Sequence, residues 1–333
     1  MKRLLTTLRS NEESGMRLQV SPVLASQLAT TLRAIPIDLR GRGWIASSLH
    51  KRASLQNWGE WSFRMRRGHI MVGPPTSCLT WNAAFTGRYD DAEIELLAAL
   101  AQRPSFILDV GASFGFYSIP LAVAMRDFGC HTIAFEPISR NLEILRRNIG
   151  LNGLHADISV FSFALGSESS CATATVETGG AGNAAIGDSR EDRRPRIEVE
   201  MRRLDDVELP ENCRNLRCSV LKMDVEGFEM DVLKGASGFL RKHRPVIFGE
   251  FSRGWFEMRG LDARAPSEWS DHNDYLVYEC VYGRRNSLSD RRDLSLKRLD
   301  RGDTRTEDSL LLIPPEKRSR LEGLETCVEF SAP

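Results

Sequence analysis

The feature that most constrains the fold of this chain is a short apolar strand, Ser105 to Val110, that runs directly into a turn holding Gly111 and Gly115. Helical sequence follows from Phe116 to Arg126. Glycines at such a junction let the backbone approach a ligand closely, and the start of the next helix offers free N–H groups. The segment therefore predicts the beginning of an α/β domain with a ligand site at the turn. Tight turns also use glycines without any ligand, so the turn alone leaves that second interpretation open.

Helices and strands alternate along most of the remaining chain. Strands are predicted at Ser105–Val110, Thr132–Glu136, Ile158–Phe163, Ile197–Met201, Ser219–Asp224, Pro245–Glu250, Tyr275–Val281 and Ser309–Ile313. Helices are predicted near residues 91–100 and at Phe116–Arg126, Ser139–Asn148 and Gly227–Leu240. This alternation predicts an α/β fold, with a mostly parallel sheet covered by helices on both faces. In such sheets ligands bind beyond the carboxyl ends of the strands.

The chain divides into three predicted parts. Residues 1–90 show no long periodicity apart from a short hairpin between Gly59 and Val72, and we expect an N-terminal extension or cap. Residues 91–315 are predicted to form the α/β domain, and residues 316–333 a C-terminal tail. The run from Thr178 to Pro195 is rich in turn formers and poor in apolar residues. We expect it to be a mobile loop on the acceptor side of the site.

Charge and cysteine content bear on partners and compartment. Lys plus Arg equals Asp plus Glu, 45 against 45, so no positive field favours nucleic acid, and a small-molecule or glycan partner is expected. The seven cysteines include no Cys-x-x-Cys pair, which favours reduced thiols. No apolar run of about 20 residues could span a membrane, so we expect a cytoplasmic protein. The oligomeric state is not indicated by the sequence.

A carboxylate at the end of the second strand changes the interpretation of the glycine turn. Glu136 follows Gly115 by 21 residues, a position where an acid can accept hydrogen bonds from both ribose hydroxyls of an adenosine cofactor. Helix initiation is the alternative role for this acid. A nicotinamide cofactor is disfavoured because the Gly-x-Gly-x-x-Gly pattern is absent. Asp109, just before the turn, suits the methionine ammonium of S-adenosylmethionine better than a pyrophosphate.

A run of acids follows the strand that ends near Asp224. Glu226 and Glu229 come directly after it, and Glu250 ends the following strand. These carboxylates could accept a proton from a hydroxyl or hold a divalent ion such as Mg²⁺. Glu226 and Glu229 could instead complement the dipole of the next helix. Among the six histidines only His272 is a candidate base.

Three tryptophans, Trp58, Trp61 and Trp81, lie in the predicted cap. Indole rings could line an acceptor pocket by stacking on sugar C–H surfaces, and packing of the cap explains them equally well.

A set of ordered segments comprises Phe106–Ser118, Ile133–Pro137, Phe163–Gly166, Arg203–Val207, Leu221–Glu229 with Val232–Ala236, and Gly249–Phe251. Together these segments resemble the motifs of the FkbM family of methyltransferases over about residues 85–315. The most specific part is the run Lys222–Glu229, which follows the glycine turn in the family's order.

The resemblance implies a class I (Rossmann-like) methyltransferase fold, S-adenosyl-L-methionine as cofactor, and methylation of a hydroxyl on a sugar, polyketide or similar natural product. Asp224, Glu226 and Glu250 are the candidate catalytic residues. The candidate cofactor-binding residues are Asp109, Gly111, Ala112, Ser113 and Gly115 for the methionine half, Glu136 for the ribose, Ala164 and Leu165 near the adenine, and Asp224. The sequence departs from the family's usual pattern at Ser113 and Phe114, which leaves the contacts there open.

Other functions remain as alternatives. An RNA methyltransferase would share the fold but should bind polynucleotide with a steep salt dependence. A catalytically silent nucleoside-binding module should have lost the cofactor residues, whereas Asp109, Gly111, Glu136 and Asp224 are all present. A nicotinamide oxidoreductase is the least favoured reading.

Overall fold

A computed structural model of the chain describes residues 25, 27–31, 50, 59–176, 184–186, 195–283, 294–299, 309–322, 324 and 328–331. These residues fall into two compact units, one ending at Tyr89 and the other beginning at Asp90. That the first unit acts as a cap stays a prediction.

The first unit contains the predicted hairpin. Strand β1 (Trp61–Arg64) pairs antiparallel with β2 (Ile70–Gly73). Helix α1 (Cys78–Thr86), which was not predicted, begins where the Ser77 hydroxyl accepts a hydrogen bond from the Thr80 amide. The sequence did contain this signal, since serine is a preferred residue immediately before a helix.

The second unit holds the alternating elements. Its strands are β3 (Phe106–Val110), β4 (His131–Phe135), β5 (Ile158–Phe161), β6 (Ala164–Leu165), β7 (Ser170–Val176), β8 (Ala184–Ile186), β9 (Arg196–Arg202), β10 (Cys218–Met223), β11 (Val246–Glu250), β12 (Leu276–Tyr282), β13 (Leu294–Arg298), β14 (Ser309–Ile313) and β15 (Val328–Ser331). Its α-helices are α2 (Asp91–Leu100), α3 (Ser118–Met125), α4 (Ser139–Leu151), α5 (Glu229–Gly235), α6 (Ser237–His243), α7 (Arg253–Met258), α8 (Ala265–Asn273) and α9 (Ser319–Glu322).

Among the described residues, nine strands form one sheet in the order β15-β13-β12-β14-β11-β10-β3-β4-β5. Five neighbouring strands of this sheet run parallel: β5, β4, β3, β10 and β11. Strand β14 lies between β11 and β12 and is antiparallel to both. The chain leaves β3 toward β4 and β5, and then returns to β10 on the other side of β3. Such a reversal leaves a crevice at the carboxyl ends of the two central strands, where ligands bind in open α/β sheets. The predicted α/β fold with a mostly parallel sheet is confirmed.

A second sheet of four strands, in the order β6-β9-β7-β8, corrects one expectation. The predicted strand Ile197–Met201 exists within β9 but belongs to this sheet and not to the main one. Val199 and Met201 are buried while their neighbours are more exposed, which is typical of antiparallel strands with one solvated face. Strand β8 lies within the predicted loop of residues 178–195; most of that loop lies outside the described residues.

A further correction concerns the predicted helix Gly227–Leu240, which is two helices, α5 and α6, separated at Ala236. A Cβ on Gly235 would lie 1.9 Å from the carbonyl oxygen of Gly166, the residue after β6, so the end of α5 packs tightly against the chain that leaves β6. The Asp205 carboxylate accepts hydrogen bonds from the Gly238 and Phe239 amides, at 2.9 and 2.7 Å, and so caps α6.

Two expectations about composition can be compared with the described residues. Six of the seven cysteines are described and carry free thiols, four of them buried. No helix within the described part of the chain is long and apolar enough to cross a membrane.

Candidate active site

The glycine turn, Gly111–Gly115, lies at the carboxyl end of β3 and directly against the chain that follows β10. Gly111 has a φ of 78°, and a Cβ there would lie 1.9 Å from the carbonyl oxygen of Asp224. The Gly111 and Ala112 amides both donate to the Phe135 carbonyl oxygen at 3.0 Å. A side chain at position 111 would therefore push apart two backbones whose strands are hydrogen-bonded. The turn requires glycine because it touches the acidic run.

Glu136 holds the other side of this turn. Its Oε2 accepts a hydrogen bond from the Ser113 amide at 2.7 Å, and its Oε1 accepts from the Ile138 amide at 2.9 Å and from Asn141 Nδ2 at 3.3 Å. The residue is only 3% exposed, and burial raises the pKa of its carboxyl to about 7, although the hydrogen bonds act in the opposite direction. Carboxylate oxygens have several acceptor positions, so Glu136 keeps capacity for the hydroxyls of a nucleoside.

Asp109 is fully buried and already paired. Its Oδ2 accepts a hydrogen bond from the Ser118 hydroxyl at 2.5 Å, and its Oδ1 lies 3.0 Å from Lys222 Nζ. The same ammonium donates to the Gly111 carbonyl oxygen at 3.3 Å. The carboxylate predicted to meet a methionine ammonium therefore contacts a lysine of this chain. Lys222 was not singled out from the sequence, although a lysine inside an apolar strand was the available signal.

The acidic turn, Asp224–Gly227, follows β10. The Asp224 amide donates to the Val110 carbonyl oxygen at 3.0 Å, which keeps this turn beside β3. The Asp224 side chain is 35% exposed and lies 4.0 Å from Lys222 Nζ. Glu226 is half-buried, and its φ of 53° is a left-handed conformation that non-glycine residues seldom adopt. Such local strain occurs preferentially at ligand and catalytic sites.

Glu229 stabilises the acidic turn from inside. Its Oε1 accepts hydrogen bonds from the Val225 amide at 3.0 Å and from the Gly227 amide at 3.4 Å. It is fully buried, and burial raises the pKa of its carboxyl to about 7. The carboxylate thus has a specific structural contact, beyond a general interaction with the dipole of α5.

Glu250 and α7 complete this edge of the sheet. Glu250 is the exposed last residue of β11, the strand next to β10. A Cβ on Gly227 would lie 2.9 Å from the Cβ of Trp255, so α7 packs against the acidic turn. Arg259 donates to the Gly227 carbonyl oxygen at 2.5 Å and pairs with Asp231 at 2.8 Å. Nothing local in the sequence marked Trp255 or Arg259.

The remaining predicted candidates belong to other elements of the second unit. Ala164 and Leu165 form β6 in the second sheet and are 6% and 2% exposed. His272 is exposed on α8, with Nδ1 2.6 Å from the Glu268 carbonyl oxygen. This helix precedes the amino end of β12, which runs in the same direction as β11, so His272 is at the opposite edge of the sheet.

The tryptophans of the first unit were predicted either to line an acceptor pocket or to pack within the cap. Trp81 is fully buried, and its ring lies 5.3 Å from that of Trp61 within the first unit, which favours packing. Trp58 lies outside the described residues.

Within the described ranges, no group of three or more His, Cys, Asp or Glu side chains is arranged to hold a metal ion. The described residues therefore do not support the predicted Mg²⁺.

Two kinds of chemistry therefore meet at the crevice between β3 and β10. The glycine turn and Glu136 offer a close backbone approach and a hydroxyl acceptor, which fit the ribose of a nucleoside. Asp224 and Glu226 are partly exposed carboxylates that could accept a proton.

The chain is similar to several known proteins. The methyltransferase sdnD of Sordaria araneosa is 28% identical over an alignment of 165 residues. The alignment covers 42% of this chain and 62% of that relative, so less than two thirds of the relative's length is matched. The crystal structure of methyltransferase FkbM from Methylobacillus flagellatus KT is 16% identical, with a TM-score of 0.37 over 71% of this chain and 53% of that one. Cofactor-bound Rv0187 from MTB is 12% identical, with a TM-score of 0.39 over 68% and 81% of the two chains.

The model of the methyltransferase FkbM domain matches residues 109–285. The match begins at the acid before the glycine turn and includes both turns of the crevice. It covers more than half of the 333 residues, and the chain therefore belongs to the FkbM methyltransferase family.

Proposed function

We propose that this methyltransferase uses S-adenosylmethionine to methylate a hydroxyl group of a sugar, glycan or other natural product. The observation that carries the proposal is the backbone contact between Gly111 and Asp224. It brings the glycine turn and a pair of partly exposed carboxylates to one crevice. A methyl transfer to a hydroxyl needs both, because the donor has to be held in line and the acceptor has to lose a proton.

The cofactor side is built around the glycine turn. Glu136 accepts hydrogen bonds from the ribose hydroxyls. Ala112 and Ser113 border the methionine half of the cofactor. Ala164 and Leu165 border the adenine. When bound, the cofactor supplies an electrophilic methyl group on a cationic sulfur. Asp109, Lys222 and Asp224 together carry one net negative charge beside the turn, which complements a cation. Asp109 shapes the turn from within, since its carboxylate is paired and buried.

The acceptor side is built around the acidic turn. Asp224 or Glu226 would receive the proton of the acceptor hydroxyl, and Glu250 is the neighbouring candidate. Trp255 is half-buried and its Cβ lies against Gly227, which supports a role for its indole on the acceptor side. An indole face suits the C–H surface of a ring-shaped acceptor.

Calorimetry with purified protein tests the cofactor assignment. We expect S-adenosylhomocysteine to bind with a Kd in the micromolar range, on the order of −8 kcal/mol, and NAD to bind far more weakly. Binding of NAD without S-adenosylhomocysteine would contradict the proposal.

The acceptor class needs a second measurement, in which methyl-labelled cofactor is incubated with cell extract fractions. Label in small molecules or glycans supports the proposed acceptor. Label in polynucleotide, with a steep salt dependence of binding, would indicate an RNA methyltransferase instead. Cofactor binding without transfer to any fraction would favour a silent nucleoside-binding module.

A further inference from the structure

Lys222 is a charged side chain in the middle of a fully buried strand. Every residue of β10 is buried, and the Lys222 side chain is 3% exposed. Burying an ammonium costs several kcal/mol unless its charge and its N–H groups find partners. Three oxygen atoms supply them: Asp109 Oδ1 at 3.0 Å, the Gly111 carbonyl oxygen at 3.3 Å and Asp224 Oδ2 at 4.0 Å.

These partners lie in the two turns of the crevice or directly before them. Asp109 is near the end of β3, Gly111 begins the glycine turn, and Asp224 begins the acidic turn. The ammonium also lies 4.7 Å above the ring of Tyr117, next to Ser118, which donates to Asp109. Burial alone lowers the pKa of Lys222, but the charges of Asp109 and Asp224 outweigh it and hold the pKa above its usual value. Lys222 therefore stays charged while it contacts both turns.

Joining β3 to β10 does not require a charge. At the amino ends of the same two strands, the Ser105 and Ser219 hydroxyls are hydrogen-bonded at 2.8 Å. A neutral pair thus links the strands at one end, and a lysine links them at the other. Replacing a buried ion pair by apolar side chains is often neutral or stabilising, so stability alone does not explain a lysine at the crevice end.

We propose that Lys222 is a positioning residue that couples the glycine turn to the acidic turn. Its ammonium holds the Gly111 carbonyl and the Asp224 carboxylate in one arrangement. Ligand binding at the glycine turn therefore orders the acid that serves the acceptor. This inference rests on the proposed function, since it assigns the two turns to cofactor and acceptor.

Hydrogen exchange measured with saturating S-adenosylhomocysteine tests the coupling without an acceptor. In the wild-type protein we expect ligand binding to slow exchange of the Gly111–Gly115 amides and, by roughly tenfold, that of the Asp224–Gly227 amides. In Lys222→Met the first effect remains and the second falls below about threefold. Ser219→Ala is the matched control, because it removes the neutral link between the same strands and should keep the wild-type coupling.

The double variant Asp109→Asn, Lys222→Met removes both buried charges, so it keeps the test valid if Lys222→Met alone does not fold. If Lys222 acts only by neutralising Asp109, the double variant recovers the coupling and the proposal is overturned. If Lys222 positions both turns, the double variant folds, binds S-adenosylhomocysteine and stays uncoupled. Full coupling in Lys222→Met also overturns the proposal. Failure of the wild-type protein to bind S-adenosylhomocysteine would instead refute the proposed function.

Discussion

The acidic side chains at the two turns that meet at the crevice differ in how far they are exposed to solvent. Around the glycine turn, Asp109 and Glu136 are 0% and 3% exposed, and each is held by bonds from the chain itself. In the acidic turn, the Asp224 side chain is 35% exposed and Glu226 is half-buried. Fully buried acids maintain the shape of a site, whereas partly exposed acids can also meet a ligand. The contrast supports a division between cofactor binding at the first turn and proton transfer at the second.

The turns also share one property. Each holds one non-glycine residue at positive φ, Ser113 at 48° and Glu226 at 53°. Such conformations cost about 1–3 kcal/mol each and persist where surrounding contacts enforce them. Here those contacts include the Glu136 carboxylate on one side and the Glu229 carboxylate on the other, which accept backbone N–H groups of the two turns. A buried acid stabilises each turn from behind.

The largest effect is expected where the two turns touch. Gly111→Ala would place a Cβ 1.9 Å from the Asp224 carbonyl oxygen in a residue with a φ of 78°. We expect the free energy of unfolding to fall by about 3 kcal/mol or more and S-adenosylhomocysteine binding to be lost. Gly153→Ala is the control, because Gly153 has a φ of 65° with nothing within 4 Å of its Cβ position. It should cost only about 1–2 kcal/mol. Equal losses in urea denaturation would show that the contact between the turns is unimportant.

A smaller, selective effect is expected from the partly exposed acids. Asp224→Asn should lower methyl transfer by about a hundredfold or more while the fold and most of the cofactor affinity remain. Glu226→Gln should act similarly, and the two losses should combine to less than their product because both acids serve one proton.

Asp109→Asn makes the matching change at the glycine turn. It leaves the Lys222 ammonium buried without its closest carboxylate, so it should lower the free energy of unfolding by about 3 kcal/mol. Thermal unfolding and an initial-rate assay distinguish the two outcomes. If Asp224→Asn destabilises the protein and leaves the rate intact, the assignment of the two turns is reversed.

The smallest effect concerns cofactor affinity. Glu136→Ala should weaken S-adenosylhomocysteine binding by about 1.5–3 kcal/mol, because a charge-assisted hydrogen bond to the ribose is lost. Glu143→Ala, an exposed glutamate on α4, is the control and should bind normally.

The raised pKa of Glu136 adds a pH dependence to this prediction. Ribose hydroxyls donate to the charged carboxylate, so affinity should increase as the pH rises through about 7, and Glu136→Gln should abolish that increase. The free energy of unfolding should change in the opposite direction and fall as the pH rises, because the carboxyl binds its proton more tightly in the folded state than in the unfolded state. Its contribution to folding is present below pH 4.5 and is lost as the pH rises through about 7. Calorimetry measures the affinity and denaturation measures the stability, each at pH 6 and pH 8, which lie about one unit below and above the pKa of Glu136. An affinity that does not change with pH would mean that the ribose does not contact Glu136.

The sequence by itself determined the fold class and the place of the site. Strand and helix periodicities are local, so β3, β4, β10, β11 and β14 lie close to where they were predicted. Because ligands bind at the carboxyl ends of parallel strands, the positions of Gly111, Glu136 and Asp224 at strand ends were enough to expect them near one crevice. Individual roles of these residues stay predictions.

Only the tertiary structure decided which atoms meet. The ion pair of Asp109 and Lys222, the contact of Gly111 with Asp224 and the capping of α6 by Asp205 all join residues far apart in the chain. Local periodicity reports which side chains share a face, but it contains no information on how closely two backbones approach or which partner satisfies a buried charge. Those outcomes depend on the packing of separate strands and helices, and that packing placed Lys222 beside Asp109, the carboxylate predicted to meet the methionine ammonium.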